Sequence, residues 1–168
     1  MGNFELKKIE KEDEKQVRYL VDTVFSNLER KDFLIPWTEE QMNRFFDEDY
    51  SILFGAYENN KLIAMCQIFT PKEIEEEYYD ILNISKSKSI CELGGALVLP
   101  EYRKKGIMTN LSAIAMDYFN NSDFDYIIAT AHPKNIASNK IVRKLGFELY
   151  DTLTTQSGYL RCLYWKKN

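Results

Sequence analysis

One stretch constrains this chain more than any other: residues 90–111, reading ICELGGALVLPEYRKKGIMTNL. Its Leu97-Val98-Leu99 run suits a buried strand, and Pro100 stops that strand because proline has no N–H for a sheet ladder. A short basic turn follows, Arg103-Lys104-Lys105-Gly106. After it, Ile107, Met108, Leu111, Ile114, Ala115, Tyr118 and Phe119 recur every three or four residues, which predicts one apolar face of a helix. A strand that feeds a helix through such a turn makes an anion site. The first N–H groups of the helix have no internal partner, and the helix dipole favours negative charge in front of them. Gly106 lets a phosphate come close to the backbone, and Arg103, Lys104 and Lys105 surround it with positive charge. The chain lacks both G-x-x-x-x-G-K-[ST] and G-x-G-x-x-G, so nucleoside triphosphates and dinucleotides are disfavoured as that anion.

The 168 residues fit a single domain spanning 1–168, large enough to bury roughly two thirds of the surface of its unfolded chain. A net charge of −4 argues against nucleic acid or an anionic membrane as a partner. No apolar run approaches the ~20 residues that span a bilayer. The first residues, MGNFELKKIEKEDEK, lack the apolar core of a signal peptide, and Leu6 breaks the myristoylation motif that Gly2 invites. Three cysteines, Cys66, Cys91 and Cys162, in apolar or strand-like surroundings are read as buried free thiols in a reducing compartment. A cytoplasmic protein is expected.

Along the chain, residues 4–9 read as a first strand. Asp13 and Gln16 have the spacing of a capping box at the start of a helix carrying Val17, Leu20, Val21, Val24, Phe25 and Leu28. The loop RKDFLIP follows, then a second capping box at Thr38 and Gln41 opens a short helix. Two strands, 51–57 and 62–70, flank the turn Glu58-Asn59-Asn60-Lys61. The segment KEIEEEYYDILNISKSK places Ile74, Tyr78 and Ile81 at helical spacing among acidic residues. It is either an exposed acidic helix with a flexible tail or a lid over a pocket. Beyond the central stretch come a strand at 126–131, a helix near 135–145 ended by Gly146, and strands at 147–150 and 159–165. The order predicts an α/β fold with a mixed sheet, and an exposed final strand would support a homodimer.

Two pieces together go beyond strand–helix grammar: VLPEYRKKGIM, from Val98 to Met108, and the pair NIAS at Asn135–Ser138 with KLGF after it. In these the chain resembles the GCN5-related N-acetyltransferase (GNAT) superfamily. The resemblance implies a mostly antiparallel central sheet flanked by helices, and acetyl-CoA as acetyl donor. In that family a [QR]-x-x-G-x-[GA] motif holds the pyrophosphate on backbone amides. Arg103, Gly106 and Met108 occupy its three named positions, within a cradle running through Lys104, Lys105, Ile107 and Thr109. Met108 departs from the usual small residue, so its side chain must point away from the phosphates. The resemblance also assigns Leu97, Val98 and Leu99 as the strand edge that pairs with the pantetheine amides, a form of β-augmentation. It places Asn135 and Ser138 beside the cofactor, although Asn135 serves equally well as a plain N-cap.

The implied reaction is direct attack of a primary amine on the thioester, with no metal. Alignment alone is worth ~7–11 kcal/mol in favourable cases. The amine must still lose a proton, and Glu92, eleven residues before Arg103, stands where some members carry a strand-borne catalytic glutamate. Burial would raise its pKa and make it a better base; a salt-bridged glutamate at the strand entrance is the alternative. Many members also have a tyrosine acid four residues before the last helix's glycine, and here that position is Val142. His132 stands at a strand end, where a structural role competes with a catalytic one. The acceptor, expected to be a small-molecule amine, would lie near Phe33, Trp37 and Arg161. The acidic segment favours a cationic acceptor and Arg161 an acceptor carboxylate. A peptide or protein amine, a catalytically silent CoA-binding domain, and a cysteine hydrolase built on Cys91 or Cys66 with His132 are the competing readings.

Overall fold

The computed structural model describes residues 4–168, so Gly2 lies outside the described residues. Seven strands form one sheet in the order β1-β2-β3-β4-β5-β7-β6. They are β1 (Glu5–Lys8), β2 (Ser51–Glu58), β3 (Lys61–Phe69), β4 (Ile90–Val98), β5 (Tyr126–Ala131), β6 (Glu148–Thr154) and β7 (Leu160–Lys167). Among the described residues five α-helices accompany them: α1 (Glu14–Ser26), α2 (Glu39–Asn43), α3 (Glu77–Ile81), α4 (Ile107–Asn120) and α5 (Ile136–Lys144). Every neighbouring pair of strands is antiparallel except β4 with β5. This is the mixed, mostly antiparallel sheet with flanking helices that the element order and the resemblance predict.

Local chemistry explains the clearest boundaries. The β2–β3 hairpin turns on Asn59 and Asn60, both at positive φ (49° and 64°), which suits the right-handed twist of the strands. Thr38 opens α2 through a complete capping box: its Oγ1 accepts from Gln41 N–H at 3.2 Å, and Gln41 Oε1 accepts from Thr38 N–H at 2.9 Å. The box expected at Asp13 does not form. The Asp13 carboxylate accepts instead from Gln16 Nε2 (2.9 Å) and from the Tyr57 hydroxyl (2.7 Å), tying the start of α1 to β2. Gly146 ends α5 with φ +84°, as a left-handed cap should.

Strand pleat sorts the core into two layers. Phe54 meets Tyr118 of α4 (ring centroids 5.8 Å apart), so Phe54, its partner Cys66 and the residues in phase with them face α4. The opposite face carries Gln67, Phe69, Ile90 and Glu92. It is covered by α1 and α2, linked through Arg18 to Glu39 and Asn43, and by α3. Ile74, Tyr78 and Leu82 bury themselves there against Ile90, Ile128 and Leu163. The acidic segment is therefore docked on the sheet, with Tyr79 Oη accepting from Ile90 N–H and Tyr150 Oη donating to Ile81 O.

Two features were not foreseen. The last strand is not an edge: β7 lies between β5 and β6, and β6 forms the outer rim, so the exposed final strand offered for a dimer does not exist. β4 also contains a bulge, since Met65 pairs with Leu97 but Gln67 pairs with Gly94, so two residues of β4, Gly95 and Ala96, oppose one of β3, Cys66. Gly95 takes up the extra length at φ +57°, and a Cβ there would lie 2.3 Å from Gln67 Oε1. Gly95→Ala is expected to lower stability by about 1–3 kcal/mol through positive-φ strain and this clash. Urea unfolding is the measurement, and an unchanged midpoint would contradict the bulge geometry.

Candidate functional site

The turn between β4 and α4 has the geometry of an anion cradle. Lys104 (φ 62°) and Gly106 (φ 75°) are both left-handed, which turns successive backbone N–H groups toward one side. The first bond into the helix is Asn110 N–H to Gly106 O at 3.2 Å. No side chain caps Gly106 and no acidic residue stands in the first turn of α4. The N–H groups of Ile107, Met108 and Thr109 thus remain available among the described residues. A Cβ added at Gly106 would meet nothing within 4 Å, so no other group of the protein packs against this turn there. Met108 packs against the core, which leaves its N–H free of its side chain. Of the basic residues, Arg103 Nε reaches back to Val98 O (3.4 Å), Lys105 Nζ lies over the Tyr102 ring (4.9 Å) and Lys104 is exposed. These residues fit a diphosphate.

Next to the cradle the sheet divides. β4 and β5 pair only at Ile90–Tyr126, Cys91–Ile127 and Glu92–Ile128. From Leu93 onward β4 keeps β3 on one side and has no strand on the other. Val98 turns its backbone groups to this open edge, where its C=O accepts from Arg103 Nε, while Leu97, two residues before Leu99, turns its own toward β3 by the alternation of the ladder. Leu99 is a correction: its N–H donates to Ile63 O at 3.0 Å, so that donor is already used, and Leu99 lies beyond the end of the strand. Asn135 caps α5, its Oδ1 accepting from Ser138 N–H at 3.2 Å, so the capping role is the one its side chain performs.

Glu92 stands at the apex where the strands part. Thr130 Oγ1, at 3.4 Å from Glu92 Oε1, is its hydrogen-bond partner. Burial pushes the Glu92 carboxyl up to about 7, with the weak Thr130 bond working against it, the Glu75 charge adding to the rise and Arg161 opposing it. Burial and the neighbouring Glu77 hold Glu75 above the usual carboxylate range too. Burial and the charge of Glu92 likewise raise Tyr78. Tyr78 is the neighbour of Glu92 that helical spacing could only mark as core, because its closeness to Glu92 comes from the docking of α3.

A second cluster joins the α1–α2 loop to the β6–β7 hairpin. Arg161 is 2% exposed, and its Nη1 donates to Asp32 O (2.9 Å) and Leu160 O (2.8 Å). Its Nη1 is thus held by two backbone carbonyls, and burial lowers the guanidinium pKa. The Asp32 carboxylate takes Arg30 bidentately (3.0 and 2.7 Å), which holds it down at about 2, and stands 3.3 Å from His132 Nε2. His132 Nδ1 accepts from Lys134 N–H at 3.1 Å, so both ring nitrogens are engaged. Phe33 lies on the His132 ring (5.4 Å) and belongs to this cluster. Trp37 packs edge-on between Phe25 and Phe45. Asp32 was missed in the sequence because nothing local marks it. The three cysteines are buried, and burial pushes the Cys66 thiol up to about 12 and Cys91 upward as well, which suits neither as a nucleophile. Val142 is buried and brings no acid.

Residues 23–147 match the family model described as the acetyltransferase (GNAT) family. A curated relative, aminoglycoside N(6')-acetyltransferase type 1 of Salmonella typhimurium, is 30% identical over 70 residues, 42% of this chain and 48% of that protein. The chain thus spans about half the length of the curated relatives it matches. Among solved structures, an N-acetyltransferase from Staphylococcus aureus Mu50 superposes with a TM-score of 0.72 at 19% identity, covering 98% of this chain and 97% of that one. Arabidopsis thaliana NAA60 in complex with acetyl-CoA gives 0.73 at 13% identity, covering 98% of both chains. At these identities the structures establish the fold.

The raised carboxyl has a consequence for stability. In the unfolded chain Glu92 titrates near 4.5 and in the fold near 7, so neutral Glu92 favours the fold fully below 4.5 and that contribution is lost as pH rises through 7. Glu92→Gln carries no such loss. The Tm of the variant minus that of the unaltered protein should therefore grow between pH 5 and pH 8. A difference that is flat across that range in thermal melts would contradict the desolvated carboxyl.

Proposed function

The chain belongs to the GNAT acetyltransferase family, and from that premise we propose that it transfers an acetyl group from acetyl-CoA to a primary amine of a small, cationic molecule. The observation that carries this reading is the parting of β4 and β5 at Glu92, beside free helix N–H donors at α4. Acetyl-CoA, when bound, supplies the activated acetyl thioester. Ile107, Met108 and Thr109 would hold its diphosphate on backbone N–H groups, with Lys104 and Lys105 adding charge. The open edge of β4 around Val98 would guide the pantetheine arm by main-chain hydrogen bonds.

Glu92 would take the proton of the incoming ammonium, either directly or through one water. Its raised carboxyl suits that task, because a base works best when its pKa lies near the working pH. Glu75 and Glu77 add to the negative field around it and draw a cationic amine toward the apex. Arg161 would shape the acceptor site by pinning the α1–α2 loop to the hairpin, leaving Phe33 on its rim. With Val142 at the usual acid position, the thiolate would leave with help from solvent or backbone donors. Transfer to small molecules is the reading that the aminoglycoside-directed relative supports; amines of peptides are the natural comparison.

Acetyl-CoA consumption with an aminoglycoside, a polyamine and a short peptide tests the reading. Binding of CoA with no turnover on any of them would instead make the chain a silent CoA-binding module, the reading that Val142 and Met108 favour. For an active protein, kcat/KM should rise with pH through an apparent pKa near 7, as Glu92 deprotonates. Glu92→Gln should lose that limb together with about 10²–10⁴ of the rate. Gly106→Val should weaken CoA binding about tenfold or more in calorimetry while the far-UV spectrum is unchanged, because a branched side chain strains the left-handed turn that orients the α4 donors.

A further inference from the structure

Gln67 is the most unusual polar residue in the sheet. It lies at the centre of β3, is 0% exposed, and neither its Nε2 nor its Oε1 has a hydrogen-bond partner. A buried amide left in this state costs stability that an apolar side chain of similar shape would not, so its presence calls for a partner. Its position indicates where that partner would be. Gln67 pairs with Gly94, and Phe69, two residues on, pairs with Glu92, so Gln67 and Glu92 project from the same face of adjacent strands. The amide oxygen fills the notch left by the missing side chain of Gly95, at the bulge where β4 runs free of β5. A donor and an acceptor thus lie unpaired and buried on the face of the sheet that carries the proposed base.

We propose that Gln67 is an acceptor-binding residue, an inference that rests on the acetyltransferase reading. In the acceptor complex the buried side chain would turn out of the Gly95 notch, so that its Oε1 accepts a hydrogen from the reacting amine and its Nε2 donates to an oxygen carried close to that amine on the same molecule. The pair selects amines with an oxygen two carbons away, as in amino alcohols, amino sugars and α-amino amides, over polyamines that present only nitrogen and methylene groups. Specificity of this kind is strong, because a partner lacking the oxygen leaves the buried donor unsatisfied.

The test compares the unaltered protein with Gln67→Met, an apolar side chain of similar length, using an aminoglycoside, alaninamide and spermidine as acceptors. The unaltered protein should favour one of the first two over spermidine. In Gln67→Met the KM for that amine should rise about tenfold or more, the KM for acetyl-CoA should stay within about twofold, and the preference over spermidine should shrink. An amine KM within about twofold of the unaltered value overturns the proposal, as does a preference for spermidine. If the unaltered protein acetylates none of the three, the acetyltransferase reading has failed in its own right, and the Tm of the ligand-free protein decides for Gln67. A lower Tm in Gln67→Met means that the amide is satisfied inside the fold, for example by a fixed water, and overturns the proposal; an equal or higher Tm upholds an amide that awaits a ligand.

Discussion

The structure depends on the ladder between β4 and β5 ending after Glu92 and Ile128. A sheet ordinarily satisfies every backbone group of an inner strand from both sides. β4 is an inner strand that does so for only its first three residues on the β5 side and then keeps a bare edge. The bulge at Gly95 accompanies this change, because an extra residue bends and twists a strand away from its neighbour. β5 remains held on its other side by β7 along its whole length. The gap is therefore built into the topology, and its unpaired edge is the kind of surface that an extended, amide-bearing ligand can complete.

The electrostatics of the two ends of this gap differ in origin. At the α4 end the positive character is mainly backbone: free N–H groups at a helix start, oriented by two left-handed residues, with exposed lysine charge around them. At the Glu92 end the negative character belongs to side chains whose ionisation is resisted by burial. The first is fixed whatever the pH; the second responds near neutrality. An arrangement of this kind suits a site that grips a permanent anion at one end and handles a proton at the other.

How much of this could be read beforehand varies with the range of the interaction. The turn Arg103–Gly106, the helix after it, the Thr38 capping box and the Gly146 cap rest on contacts within a few residues, and they were legible. The box at Asp13 failed because a distant hydroxyl, Tyr57, competes for the same carboxylate. Leu99 was misplaced as an open edge because its N–H is claimed by Ile63, across the strand pair. Arg161 is a charge with no partner nearby in the sequence, and the fold gives its Nη1 two carbonyls, one of them more than a hundred residues away. Asp32 carried no local signal at all, and Tyr78 carried only the helical spacing of a core residue.

By itself the sequence determined the family, the order of the elements and the place of the anion turn, because these follow from periodicity, from proline and glycine, and from a motif whose chemistry is mainly backbone. Only the tertiary structure decided that β7 lies inside the sheet, that the acidic segment docks over Glu92, and that Gln67 lies buried against Gly95. The reason is physical. Desolvation, strand register and the partners of a buried polar group are set by residues far apart in the chain, and no window of neighbouring residues contains them.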